Sequence, residues 1–283
     1  MYYQELINKY YPNINILDGL VPKKTTFRVN NLKSDVEEIE AILNSNNIKY
    51  NKVDFFQDAF ILEDDIDIRE LDIYKEGKIY VQSLSSMLPP LYFDYKEKDS
   101  IIDMAAAPGG KTSEIASITN DTVLITAVEK NKLRGEKLIY NLDKQGLKHY
   151  SIIFEDATKL NEFMKFNKVL LDAPCSGSGT ITKDQLESVT EDLVTRSSNI
   201  QKELLNKAIN LVNVGDEIIY STCSIFKVEN EEVINKFIQE GRVEVVPITT
   251  TIDTLPSTID GVLTIKPSEL YEGFFVSKLK KLK

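Results

Sequence analysis

The chain has 283 residues, 42% of them hydrophobic, with a formal charge of −10, two cysteines and one histidine. That length suits one large globular domain, or a main domain with a small appendage, and the negative balance argues against indiscriminate nucleic-acid binding. No apolar run approaches a membrane span, the start lacks the basic and apolar regions of a signal peptide, and two cysteines without CxxC spacing plus one histidine supply too few ligands for an ordinary structural zinc site. The expectation is a cytoplasmic protein without a metal.

In chain order, residues 1–77 read as a small α+β unit. It holds a short helix, a strand at Thr26–Val29, a helix from Asp35 to Asn44 with Ser34 as a possible cap, and strands near Lys49–Phe55 and Ala59–Leu62. Lys23, Lys24, Arg28 and Lys33 form a basic island here, and Lys278 to Lys283 form a second at the tail. Solvated surface lysines would explain the tail equally well.

Residues 78–283 read as the main domain. Ile101–Asp103 enters the turn Ala105-Ala106-Ala107-Pro108-Gly109-Gly110-Lys111, followed by a helix to Ile118, an apolar strand at Val123–Val128 and a helix at Asn131–Gln145 closed by Gly146. Strands follow at Ser151–Phe154, Lys168–Leu171 and Glu217–Tyr220, with helices near Asp192–Val212 and Glu229–Gln239. Apolar strands alternating with helices predict an α/β fold, a doubly wound and mainly parallel sheet. Ligands of such sheets bind beyond the carboxyl ends of the strands, where Asp103, Glu129, Asp156, Asp172 and Cys223 all fall.

The glycine-rich turn fails the phosphate-loop pattern, because the position that needs the first glycine is Ala105, and it fails the dinucleotide fingerprint as well. Small side chains that let backbone approach a ligand remain, with Glu129 after the next strand to accept ribose hydroxyls and Asp156 after the third to reach an adenine edge. That set suits an adenosine without phosphates, such as S-adenosylmethionine. Loop capping is the bland account of Glu129, Asp156 and Asp172. Lys111 has a first-turn helical position as its bland account, although a cation there opposes the helix dipole.

The two cysteines lie in Asp172-Ala173-Pro174-Cys175-Ser176-Gly177-Ser178-Gly179 and Ser221-Thr222-Cys223-Ser224, each just past an apolar strand. Free cysteine is commonly a small buried hydrophobe, but its placement twice at strand ends points to thiol chemistry. These segments, with Phe27-Arg28-Val29-Asn30, Tyr80-Val81-Gln82-Ser83-Leu84-Ser85-Ser86-Met87 and Glu272-Gly273-Phe274-Phe275-Val276, resemble the Nol/Nop/Sun family of RNA (cytosine-5)-methyltransferases over nearly the whole chain.

The resemblance implies a Rossmann-like class I methyltransferase fold with S-adenosylmethionine as cofactor. Ala105 to Lys111 would wrap its methionine part, Glu129 would hold the ribose with Arg134 close by, Asp156 would meet the adenine, and Asp172 would face the target base. It further implies Cys223 as the nucleophile, with Cys175 aiding product release. Spacing alone leaves that choice open, since the Pro-Cys of DNA cytosine methyltransferases would select Cys175. The implied substrate is an unpaired or flipped cytosine in RNA, ribosomal RNA being favoured over transfer RNA, and the implied state is a monomer.

Two departures from the family are visible: Ala105 stands where cysteine is usual, and Lys183 to Asp192 is mostly acidic where the family is often basic. The rival readings are a methyltransferase of another substrate, a non-catalytic RNA-binding assembly factor, and a nucleotide hydrolase. His149, after Gly146, has no assigned role.

Overall fold

The computed structural model describes residues 2–283. After a first helix α1 (Tyr2–Tyr10), a small antiparallel sheet forms from β1 (Thr26–Val29), β2 (Tyr50–Val53) and β3 (Phe56–Leu62), with α2 (Val36–Ser45) between β1 and β2. A short helix α3 (Asp72–Lys75) leads to β4 (Ile79–Val81), and the sheet order is β2-β3-β1-β4. One face of this sheet packs against α2 through Phe27, Val29, Phe60, Ile39 and Leu43, all fully buried. The cap of α2 is Asp35, which accepts from the Glu38 N–H; the Ser34 hydroxyl goes instead to the Glu38 carboxylate.

The fourth strand lies beyond residue 77, so the small sheet extends past the expected boundary. The beginning of the chain departs from that division too. Tyr3, Leu6, Ile7 and Tyr11 of α1 and its following turn pack with Val194, Ile225 and Phe226 of the main body.

The main body continues with α4 (Leu84–Leu91), β5 (Ser100–Asp103), α5 (Gly110–Ile118), β6 (Leu124–Val128), α6 (Lys132–Gln145), β7 (Tyr150–Ile153) and β8 (Phe166–Asp172). It ends with α7 (Glu191–Leu211), β9 (Val212–Thr222), α8 (Glu231–Gln239), β10 (Val243–Val246), β11 (Thr254–Leu255), β12 (Leu263–Ile265) and β13 (Phe274–Lys281). The large sheet runs β11-β12-β13-β9-β8-β5-β6-β7, with β10 also on β13. Strands β5 to β9 are parallel, while β10 to β13 join antiparallel. Alternate residues send apolar side chains to opposite faces: Ile102, Val169, Leu171 and Ile218 pack with α7 and α8, and Ile101, Leu170 and Ile219 pack with α5 and α6. Among the described residues no helix is long and apolar enough to cross a membrane.

From β5 the chain steps outward to β6 and β7, then returns to the other side of β5 with β8. This reversal opens a crevice beyond the carboxyl ends of β5 and β8, the place where such sheets bind ligands. Arg28 fixes the small sheet beside that crevice. It is fully buried, donates to Gln82 Oε1 (3.0 Å), the Gly110 carbonyl (2.8 Å) and Ser113 Oγ (2.8 Å), and faces Glu114 at 3.8 Å. Burial pushes the Glu114 carboxyl up to about 8, with Arg28 acting in the opposite sense. The expected basic island is therefore not a free cationic face: Arg28 is internal, Lys24 pairs with Glu63 and Lys33 reaches the Glu76 carbonyl.

Candidate active site

The turn after β5 is built for close approach. Gly109 has φ +108°, a left-handed conformation that suits glycine, and a side chain there would meet Leu138 and Leu142 of α6. The Ala106 N–H bonds the Val128 carbonyl at 3.0 Å, Arg134 donates to the Ala107 carbonyl at 2.9 Å, and Asn141 donates to the Pro108 carbonyl at 2.7 Å. Beneath the turn, Asp103 accepts from Thr112 Oγ1 (2.7 Å) and the Ala105 N–H (3.3 Å). Its carboxyl is pushed up to about 6 because it is fully buried, those two bonds offsetting part of the effect.

Two cavities flank this turn. The larger, about 430 Å³, has Glu129, Arg134, Asp156, Asp172, Cys175 and Cys223 in its wall. Glu129 is 5% exposed; it accepts the Asn131 N–H at 2.8 Å and faces Arg134 at 3.4 Å. Asp156 accepts from Thr158 Oγ1 (2.8 Å) and N–H (3.0 Å), and the hydroxyl bond holds its carboxyl below the usual range. Ala157, Ile200 and Leu204 supply apolar wall between the polar groups.

The smaller cavity, about 220 Å³, lies toward the small sheet and is bounded by Tyr80, Gln82, Ser86, Ala106, Gly110 and Lys111. Ala105, Ala107 and Asp172 line both cavities, so the two meet at Asp172. There the carboxylate takes Lys111 Nζ on one oxygen (2.7 Å) and Ser221 Oγ on the other (2.7 Å), while Lys111 also donates to Ser86 (2.7 Å). Pairing β8 with β9 sets Ser221 opposite Asp172.

Cys175 and Cys223 line the larger cavity together with Asp172, with Cα atoms 6.4 Å apart. Read from the sequence as two separate thiols, they are joined here as a disulfide. Thiol chemistry at this site therefore belongs to the reduced protein. Two glycines hold the loops. The Gly179 N–H bonds the Cys223 carbonyl (3.0 Å), and the Gly273 N–H bonds the Gly179 carbonyl (2.8 Å). A Cβ on Gly179 would lie 1.9 Å from the Gly273 carbonyl oxygen.

The expected residues thus converge, with changes of place. Lys111, Ala106, Pro108 and Gly110 face the smaller cavity rather than the larger one, and Gly109 lines neither, acting through backbone geometry alone. Arg134 reaches the Ala107 carbonyl as well as Glu129. His149 bonds Asp121, away from both cavities. The acidic segment after Gly179 forms a short helical turn, Lys183–Ser188, with Lys183 paired to Asp18. Ser86, Ser221 and Ile200 were not foreseen. For Ser221 a signal existed in its strand position, two residues before Cys223.

Among the described residues there is no group of three His, Cys, Asp or Glu side chains that could hold a metal ion.

The family model described as 16S rRNA methyltransferase RsmB/F matches residues 90–280. The ribosomal RNA small subunit methyltransferase F of Shewanella amazonensis is 31% identical over 276 residues, taking in 92% of this chain and 59% of that protein. The probable ribosomal RNA small subunit methyltransferase B of Bacillus subtilis is 32% identical over 273 residues, with 93% and 61% covered. The chain therefore spans about three fifths of the length of these curated relatives. A methyltransferase homolog from Pyrococcus horikoshii superposes with a TM-score of 0.89 at 30% identity, covering 99% of this chain and 95% of that one. NSun6 from the same organism, solved with SFG, superposes with a TM-score of 0.89 at 24% identity, covering 100% and 97%. This last likeness speaks to the fold.

Proposed function

The chain belongs to the RsmB/F family of methyltransferases, and on that premise we propose that it transfers a methyl group from S-adenosylmethionine to carbon 5 of a cytosine in RNA, through a covalent bond between Cys223 and carbon 6. The observation that carries this reading is the meeting of two cavities at Asp172, with Lys111 and both cysteines beside it. Both cysteines share the larger cavity with Glu129 and Asp156, so the cofactor would lie along Glu129 and Asp156 and the base would meet it at the Asp172 and Cys223 end, where the smaller cavity joins.

The residues of the larger cavity fit the cofactor. Its volume lies within the usual range for small-molecule sites, about 300–1,000 Å³. Glu129 retains acceptor capacity for ribose hydroxyls, Asp156 is held ionised for an adenine amine, and Ala157, Ile200 and Leu204 offer apolar contact to its ring. When bound, S-adenosylmethionine supplies an electrophilic methyl group.

Carbon 5 of cytosine is a poor nucleophile. Addition of the Cys223 thiolate to carbon 6 makes carbon 5 an enamine carbon able to take the methyl group, which splits one hard step into easier ones. Loss of the carbon 5 proton then lets the carbon–sulfur bond break, returning the thiolate. An unperturbed thiol is only about 3% ionised at pH 7, so the site must favour the thiolate. Asp172, held by Lys111 and Ser221, is oriented to accept from the cytosine amine or protonated ring as charge develops. Cys175, beside Cys223 in the larger cavity, would aid release.

A groove lined by Arg69, Lys137 and Lys144 joins the smaller cavity at Tyr80, Val81 and Pro108, with no carboxylate in its wall. It offers phosphate contacts on an otherwise acidic protein, which supports an RNA substrate. The relatives' names favour ribosomal RNA of the small subunit, with transfer RNA second. The test is transfer of labelled methyl from S-adenosylmethionine by the reduced protein to total RNA from cells lacking this gene, followed by nucleoside analysis. Label in 5-methylcytosine is the expected result. Label in another nucleoside overturns the chemistry, and cofactor binding without label in RNA favours a non-catalytic RNA-binding factor or another methyl acceptor.

A further inference from the structure

We propose that Glu229 is a positioning residue: one buried carboxylate ties the Cys175 loop to the Cys223 loop and sets the separation of the two sulfurs. It lies outside both cavities, and the reaction described above does not use it.

Glu229 is fully buried, and among the described residues no lysine, arginine or histidine pairs with it. Burial raises its carboxyl, and the opposing influences are hydrogen bonds rather than a counter-charge. One oxygen accepts from the Ser176 N–H (2.7 Å) and Gln201 Nε2 (3.4 Å). The other accepts from Ser176 Oγ (2.6 Å) and Ser224 Oγ (2.6 Å). Ser176 follows Cys175 and Ser224 follows Cys223, so the same group grips the residue after each cysteine. A buried carboxylate without a cation is costly unless its lone pairs are filled, and here donors from both loops and α7 fill them.

The grip is rigid because Glu229 is itself held. The Tyr220 hydroxyl donates to its carbonyl (2.6 Å), and its N–H bonds the Phe226 carbonyl (3.0 Å). The next residue works on the same loop. Asn230 accepts from Thr222 Oγ1 (2.6 Å) and donates to the Ser224 carbonyl (2.9 Å), bracketing Cys223 on both sides. The Ser178 and Ser224 hydroxyls, 2.8 Å apart, close the ring between the loops. From outside, Tyr3 donates to the Ser178 carbonyl and Tyr11 to the Ile225 carbonyl, so α1 and its following turn brace both loops.

A reach across two loops depends on side-chain length before charge. Glutamine keeps the length: its carbonyl can accept from Ser176 N–H, and its amide can donate to the two serine hydroxyls once they rotate. Aspartate keeps the charge but is one methylene short, so it can hold only one loop. The order of effects therefore separates positioning from a purely electrostatic role.

The experiment uses the full chain, reduced and then exposed to diamide, whose N=N bond takes the two thiol protons and two electrons as the disulfide closes. The closure rate is read from the loss of free thiol. Glu229→Asp and Glu229→Ala are expected to close at least tenfold more slowly than the parent and Glu229→Gln within about threefold, all with unchanged cofactor affinity. Closure at the parental rate in Glu229→Asp, or a slower rate in Glu229→Gln than in Glu229→Asp, overturns the proposal; these two variants decide the matter even where Glu229→Ala does not fold. The catalytic corollary rests on the proposed function: kcat for methyl transfer follows the same order with KM for RNA unchanged. A parent that transfers no methyl group to RNA counts against that function, while the closure rates still judge the role of Glu229.

Discussion

The two halves of the crevice are held in place by different means. On the Glu129 and Asp156 side each carboxylate is fixed by its own turn: the Asn131 and Thr158 N–H groups that bind them are two residues downstream. On the cysteine side the bonds are distant in sequence. Ser176 reaches Glu229 across 53 positions, and Ser178 reaches Ser224 across 46. The Glu129 and Asp156 side thus draws its polar contacts from local turns, with α7 adding its apolar wall, whereas the cysteine side requires β8, β9 and α7 to be in place together.

This contrast can be broken or sharpened by substitution. The largest effect is expected from Cys223→Ala, which should lower methyl transfer by at least about a thousandfold while leaving cofactor affinity unchanged, as removal of a nucleophile does. Cys175→Ala should instead permit attack and stall release, leaving RNA attached to the protein on a denaturing gel. The reverse pattern would exchange the two roles.

Asp103 lies at the seam of the halves, and its carboxyl is raised to about 6 by burial. A carboxyl raised in the folded state stabilises fully below its unfolded value, about 3.9, and that contribution is lost as pH rises through the folded value. Relative to the parent, Asp103→Asn should therefore gain about 2 kcal/mol of stability between pH 4 and pH 7, measured by urea unfolding at both. A constant gap between the two proteins would show that Asp103 titrates normally.

Next, Gly179→Ala would drive a methyl group into the Gly273 carbonyl. A cost of about 2 kcal/mol in unfolding free energy is expected from such overpacking, with methyl transfer slowed and cofactor affinity retained. Equal loss of cofactor binding would mean that the halves are one unit after all. The smallest effect is expected for Glu129→Ala: cofactor Kd raised about tenfold, which is about 1.4 kcal/mol, with kcat at saturation nearly unchanged. Isothermal titration against kinetics at saturating cofactor would distinguish these.

The same contrast explains what could be read from the residues alone. The parallel strands, the turn at Ala105–Lys111 and the carboxylates after β6 and β7 carry local signals, in apolar runs, small residues and caps, and the RsmB/F membership agrees with the fold they imply. Glu229 carries none, because Glu229-Asn230-Glu231-Glu232 reads simply as a helix start. Arg28 looks like surface charge until Gln82, Gly110 and Ser113 are folded against it. The lysine-rich tail misleads in the same manner. Lys278 is 4% exposed and pairs with Asp94 (2.7 Å) and Glu217 (2.8 Å) as part of β13. Its strand signal was present in Phe274-Phe275-Val276, but the lysines after it obscured the alternation.

The position of β13 also bears on when the protein becomes competent during translation. Strand β9 ends at Thr222, immediately before Cys223, and its outer edge is hydrogen-bonded by Phe275 to Lys280, some fifty residues downstream. A nascent chain that has released β5 through β9 from the ribosome still presents an open strand edge beside Cys223, a template for pairing with the wrong partner. Completion of the edge beside Cys223 therefore waits on a late-synthesised segment.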